Sequence, residues 1–162
     1  MKMRENSSEE TKTRSGLSEF FKSDPSLGVS KFRFYLLRTF YIIIILFLGI
    51  EVWTEIITHK EIWKPLSAVA YSFWGAFTLL SILGIFHPLK MIPLLLVQFF
   101  YKLIWLIIAA LPLWTANQLT DSSSYELATV NTIGIVIDIL VIPWSYVFKN
   151  YILTKKSKNN SL

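Results

Sequence analysis

The chain predicts an all-α integral membrane four-helix bundle, its spans antiparallel in an up-down-up-down order and both termini cytoplasmic. Three observations lead there. Of 162 residues, 53% are hydrophobic and 15% aromatic, against roughly 45–50% apolar residues in soluble domains. The apolar residues gather into four long runs, and ~18 or more of them in helix can cross a hydrocarbon core. Lys and Arg crowd one set of run ends and nearly avoid the other.

Residues 1–30 are polar, rich in Ser, Glu, Lys and Thr. Such a composition buries too little apolar area to fold alone. It predicts a disordered cytoplasmic tail, or one lying on the membrane surface, where the stretch 17–21 forms an amphipathic turn. No cleavable signal peptide is expected, because the first apolar run starts late, is long and lacks a small-residue cleavage site.

The four-span bundle is expected over residues 31–150. The first span covers about 34–57, and the polar connector 58–65 follows. The second covers about 66–86, with Pro65 in its first turn, where proline is tolerated. His87, Pro88, Leu89 and Lys90 make a tight turn, since Pro88 disfavours helix at His87. The third covers about 91–114, with Pro112 expected to kink or end it. A polar loop, 115–126, leads to the fourth at about 127–148, bent by Pro143 near its end. Residues 151–162 form a basic tail.

Orientation follows from the cations. Lys2, Arg4, Lys12, Arg14, Lys22, Lys31, Arg33 and Arg38 precede or enter the first span. Lys90 lies in the second turn, and Lys149, Lys155, Lys156 and Lys158 lie after the fourth span. Lys60 and Lys64 alone fall on the other side. Positive residues stay inside, which makes both termini cytoplasmic. Trp63, Trp114 and Tyr125 then form an outer aromatic belt; Tyr35, Trp144, Tyr146 and Tyr151 form an inner one. Lysine- and isoleucine-rich usage suits a bacterial inner membrane.

Several function classes drop out. With no cysteine, disulfides, thiolate metal sites and cysteine nucleophiles are absent. His59 and His87 sit at span ends on opposite sides in this topology, so they cannot share a haem or a metal. No catalytic, metal or nucleotide motif stands out, and no cofactor is expected. The net charge of +5 flanks the spans and forms no separate patch. It predicts anionic lipid headgroups as partner and no nucleic acid.

The chemistry worth following is polar residues inside the spans. A charge there costs roughly 2.5–3.5 kcal/mol and calls for a partner. Lys102 lies roughly 16 Å in from one face and Asp138 roughly 16 Å in from the other, at a rise of ~1.5 Å per residue. Both fall near the midplane of a ~30 Å core, so they are expected to pair. Glu51 is expected above them toward the outside, with Glu55 at the interface. Positions three and four apart share a helix side. That spacing gives each span one inward polar stripe. The stripes are Arg38, Tyr41, Leu48, Glu51 and Glu55 on the first span, and Tyr71, Trp74, Gly75, Thr78 and Ser81 on the second. The third has Gln98, Tyr101, Lys102 and Trp105; the fourth has Asn131, Gly134, Asp138 and Ser145. Ala68, Ser72 and Ala76 form a small-residue run suited to close packing.

Two readings of this network stand. It is an ion-paired lock that fixes which helices adjoin, or a polar cavity for a proton, a small cation or a headgroup. The first predicts an accessory or scaffold protein, partnered by a second copy or a larger membrane protein. The second predicts an ion- or proton-coupled transporter subunit using Glu51 and Asp138. A third possibility, a membrane enzyme acting on a lipid or quinone, would use Trp74 and Trp105 as stacking faces. In architecture alone the chain resembles DoxX-like four-helix proteins and small multidrug transporters, the latter with an essential acid on their first span. The long charged N-terminal tail and Lys102 depart from the small transporters.

Overall fold

The computed structural model describes Lys22, residues 28–118 and residues 122–153. Most of the expected N-terminal tail, including 17–21, lies outside the described residues, as do Asp121 and the basic end beyond 153. Four helices are long and apolar enough to cross a membrane. They are α1 (Lys31–Thr58), α2 (Pro65–Phe86), α3 (Ile92–Thr115) and α4 (Ser122–Val141). A short α5 (Trp144–Val147) follows. By length and composition this is a multi-pass membrane protein.

The chain divides into two units. One is Leu37–Ile142; the other is formed by the chain on either side of it. In the flanking unit, Gly28 takes φ +72° beside the ring of Tyr146, a conformation that suits glycine. Val29 and Val147 are buried. Within Leu37–Ile142, α1 packs on α2, α2 on α3, and α3 on α4.

This unit turns apolar side chains outward and polar ones inward. Phe47, Ile57, Leu66 and Ile108 are well exposed, whereas Thr78, Ser81, Gln98, Lys102, Asn131 and Asp138 are buried. In hydrocarbon that is the stable arrangement, because nothing outside can satisfy a polar group.

Helix ends follow local chemistry. Pro65 opens α2, where its missing N–H would find no partner anyway. The turn after α2 closes through Lys90 N and Met91 N, which donate to His87 O at 3.1 and 3.2 Å. Arg38 Nε donates to Ile85 O at 2.8 Å, satisfying a carbonyl that the end of α2 leaves free. Asn117, at φ 53°, ends α3 in the left-handed conformation. Gln118 N then reaches back to Leu113 O at 2.8 Å.

Two spans contain a π-helical turn, Ile45–Gly49 in α1 and Leu106–Ala110 in α3. The second precedes Pro112, whose ring would crowd the carbonyl four residues back in a regular helix. The wider turn absorbs that conflict, so α3 continues to Thr115. Pro112 therefore does not end the span. Pro143 is the stronger breaker. It carries no N–H and disfavours helix at Ile142, so α4 stops at Val141. The helix expected at 127–148 thus begins and ends earlier.

One tight contact between α1 and α2 depends on glycine. A Cβ on Gly84 would lie 2.5 Å from two ring atoms of Tyr41, whereas one on Gly49 would meet Thr78 at an ordinary 3.7 Å. Gly84→Ala should cost about 1–3 kcal/mol through overpacking. Gly49→Ala should be neutral or slightly stabilising, since alanine is the better helix former by about 1 kcal/mol. Thermal unfolding of the two variants in one detergent checks the contrast.

Candidate functional site: a buried ion pair between the third and fourth helices

α3 carries Gln98 and Lys102 one turn apart, and both are buried. α4 carries Asn131, Gly134 and Asp138 on one side; Asn131 and Asp138 are buried. Lys102 Nζ donates to Asp138 Oδ2 at 3.2 Å, and Gln98 Nε2 reaches Asp138 Oδ1 at 3.5 Å. Each carboxylate oxygen thus faces one donor from the neighbouring helix. Asp138 is 0% exposed and Lys102 6%.

Gly134 makes room for this contact. A Cβ there would stand 2.5 Å from Lys102 Nζ and 3.0 Å from its Cε. The lysine stem therefore lies across the bare backbone of α4, one turn before the carboxylate it meets. Gln98 Oε1 is buried without a protein hydrogen-bond partner, so the cluster offers one further acceptor. Tyr101 is half-buried and meets Phe73 of α2 edge-on, with centroids 6.5 Å apart. Trp105 is half-buried on the same helix.

Other residues expected at the site lie elsewhere. Glu51 is exposed and takes no part in the pair. The π turn before it holds one residue more than an α turn. It rotates the end of α1 so that Val52, 2% exposed, takes the inward position. Glu55 bonds His59 Nδ1 at 3.0 Å. Ser145 lies beyond the break at Pro143 and is exposed. Tyr71 and Trp74 meet each other edge-on, centroids 5.6 Å apart, and no ring contact joins Trp74 to Trp105. Among the described residues, no three His, Asp or Glu side chains gather as metal ligands would.

Two hydrogen bonds gave no signal in the sequence. Trp53 Nε1 donates to Thr78 Oγ1 at 3.0 Å, and that hydroxyl donates to Gly75 O at 2.9 Å. The chain Trp53–Thr78–Gly75 ties α1 to α2 as the ion pair ties α3 to α4. The spacing of Gly75 and Thr78 marks a face of α2, but nothing marks Trp53 as its partner.

No protein-family model, curated protein or solved structure matches this chain.

Lys102→Met strands a buried carboxylate, and breaking such a pair costs about 3–5 kcal/mol. Adding Asp138→Asn should return most of that loss. Gly134→Ala should destabilise the parent, yet cost less beside Lys102→Met, whose shorter uncharged side chain is not held at Asp138. Thermal stability of the single and double variants, closed as a double-mutant cycle, gives the coupling.

Proposed function

We propose that this chain is a small accessory or scaffold protein of a membrane, with the Lys102–Asp138 pair as its internal lock. In this reading its four spans run antiparallel, up-down-up-down, with both termini cytoplasmic. The single observation that carries the reading is a one-to-one match of charge, 3.2 Å apart, with no exposure at the acid. A pair closed in this way specifies which helices adjoin, without adding much net stability. A conducting path needs charges that water or an ion can reach, and Asp138 offers no such surface. The apolar outer faces suit lipid and a partner, either a second copy or a larger membrane protein. Cytoplasmic basic residues flanking the spans suit anionic headgroups. The composition suits a bacterial inner membrane.

A second reading, an ion- or proton-coupled transporter subunit using Asp138 and Glu51, is favoured by Gln98 Oε1. That buried acceptor has no protein donor, and polar groups of this kind commonly mark ion and proton paths.

Flux and topology separate these readings. Proteoliposomes of the purified chain, loaded with a pH-sensitive dye and then given a potassium diffusion potential, should show no flux above empty vesicles. Proton or sodium flux that disappears in Asp138→Asn while the fold persists would establish the transporter instead. Because the chain has no cysteine, single substitutions map its sides directly. Lys60→Cys and Gln118→Cys should react with an impermeant maleimide on intact cells. Lys90→Cys should react only after permeabilisation, and the reverse pattern would invert the topology.

A further inference from the structure

The loop between α1 and α2 holds a second constellation, away from the ion pair. His59 stacks on Trp63 with ring centroids 3.7 Å apart and planes 21° apart. Trp63 meets Tyr71 at 4.9 Å, tilted by 54°. Tyr71 in turn meets the edge of Trp74 at 5.6 Å. Four aromatic rings thus form one continuous ladder from the end of α1 into α2. Beside it opens a cavity of about 130 Å³, lined by Ile56, Trp63, Ala68, Tyr71 and Ser72.

The surrounding charge has a sign. Glu55 is anchored by His59 Nδ1 at 3.0 Å, and His59 lies against Trp63. Tyr71 is within electrostatic reach of both Glu55 and Glu51. Lys60 and Lys64 are exposed, and they, like the two carboxylates, stand outside the lining of the cavity. Aromatic faces carry negative charge density and attract cations, more strongly when water is displaced. An interfacial aromatic belt needs rings but no carboxylates. Glu51 adds a further demand. It stands exposed on a span, where an unanswered carboxylate is costly. The volume is far below the roughly 300–1,000 Å³ of pockets that hold drug-sized ligands. It suits a small head group.

We propose that the cavity beside Trp63 and Tyr71 binds a small alkylammonium group, held against the aromatic rings that line it and by the negative field of Glu55 and Glu51. The aromatic faces supply selectivity for a methylated or primary ammonium over a strongly hydrated metal ion. The same chemistry is offered by a soluble ammonium compound and by a choline or ethanolamine headgroup. The site is independent of the Lys102–Asp138 pair and of the accessory reading built on that pair.

The test uses the full chain in nanodiscs of phosphatidylglycerol alone, titrated with tetramethylammonium chloride. Tryptophan fluorescence is followed against sodium chloride at matched ionic strength. A saturable change specific to tetramethylammonium is expected. A single cation–aromatic contact accounts for a factor of about 2 to 30 in affinity. Tyr71→Leu should therefore weaken binding about tenfold, while Tyr71→Phe, which keeps the ring, should retain it. Glu55→Gln still accepts from His59 but lacks the charge, and should weaken binding several-fold. Repeating the titration in phosphatidylcholine nanodiscs assigns the source. A lower apparent affinity identifies the lipid headgroup as the occupant, and an unchanged one identifies a soluble ammonium. The proposal is overturned by a response no different from that to sodium. It is overturned equally if folded Glu55→Gln and Tyr71→Leu proteins bind as tightly as the parent.

Discussion

A carboxylate with no exposed surface has to be answered from within the protein, and Asp138 is answered by Lys102 at 3.2 Å. Much of the packing between α3 and α4 follows from that need. The lysine reaches the acid only because Gly134 leaves the backbone bare beneath its stem. Gln98 is turned toward the second carboxylate oxygen. In water such a pair would be worth little, because solvent competes for both ends. Inside a bilayer the alternative partner is hydrocarbon, so a charge left unpaired is expensive.

The α1–α2 hairpin is held by a different means. Among the described residues it shows no buried ion pair of this kind, and relies on a cationic and a neutral N–H donor aimed at uncharged oxygen acceptors. Arg38 meets the carbonyl of Ile85, and Trp53 meets the hydroxyl of Thr78. Between them Tyr41 fills the space that Gly84 leaves. The four-helix unit therefore combines one ion-paired seam with one seam of hydrogen bonds and steric fit.

The four long apolar helices were legible in the sequence, because hydrophobic runs of that length have few other homes. The partnership of Lys102 and Asp138 was also legible, since counting residues from each end of a regular helix gives depth. Glu51 was misread for a physical reason. Helical spacing assumes a constant turn, and the π turn at Ile45–Gly49 changes the phase of everything after it. No residue in that segment announces a wider turn. The contact between Arg38 and Ile85 O was likewise invisible, because every residue offers a backbone carbonyl. Pro143 was seen as a bend but acts as a stop. The aromatic ladder His59–Trp63–Tyr71–Trp74 was read only as scattered belt and stripe residues. Assembling it needs the loop conformation between α1 and α2.

The two π turns also bear on how the chain tolerates changes in length. Deleting one residue from a regular stretch of α2 would throw half its side chains onto the wrong face. Deleting one from Ile45–Gly49 would turn the wide turn into an ordinary one and leave Val52 inward and Glu51 outward. The same loss in Leu106–Ala110 would press Pro112 against its own helix. One spare residue can thus be lost without turning a helix face, while the other accommodates a proline. Sequence drift by insertion or deletion is therefore constrained differently at these two places, although both are five-residue apolar segments.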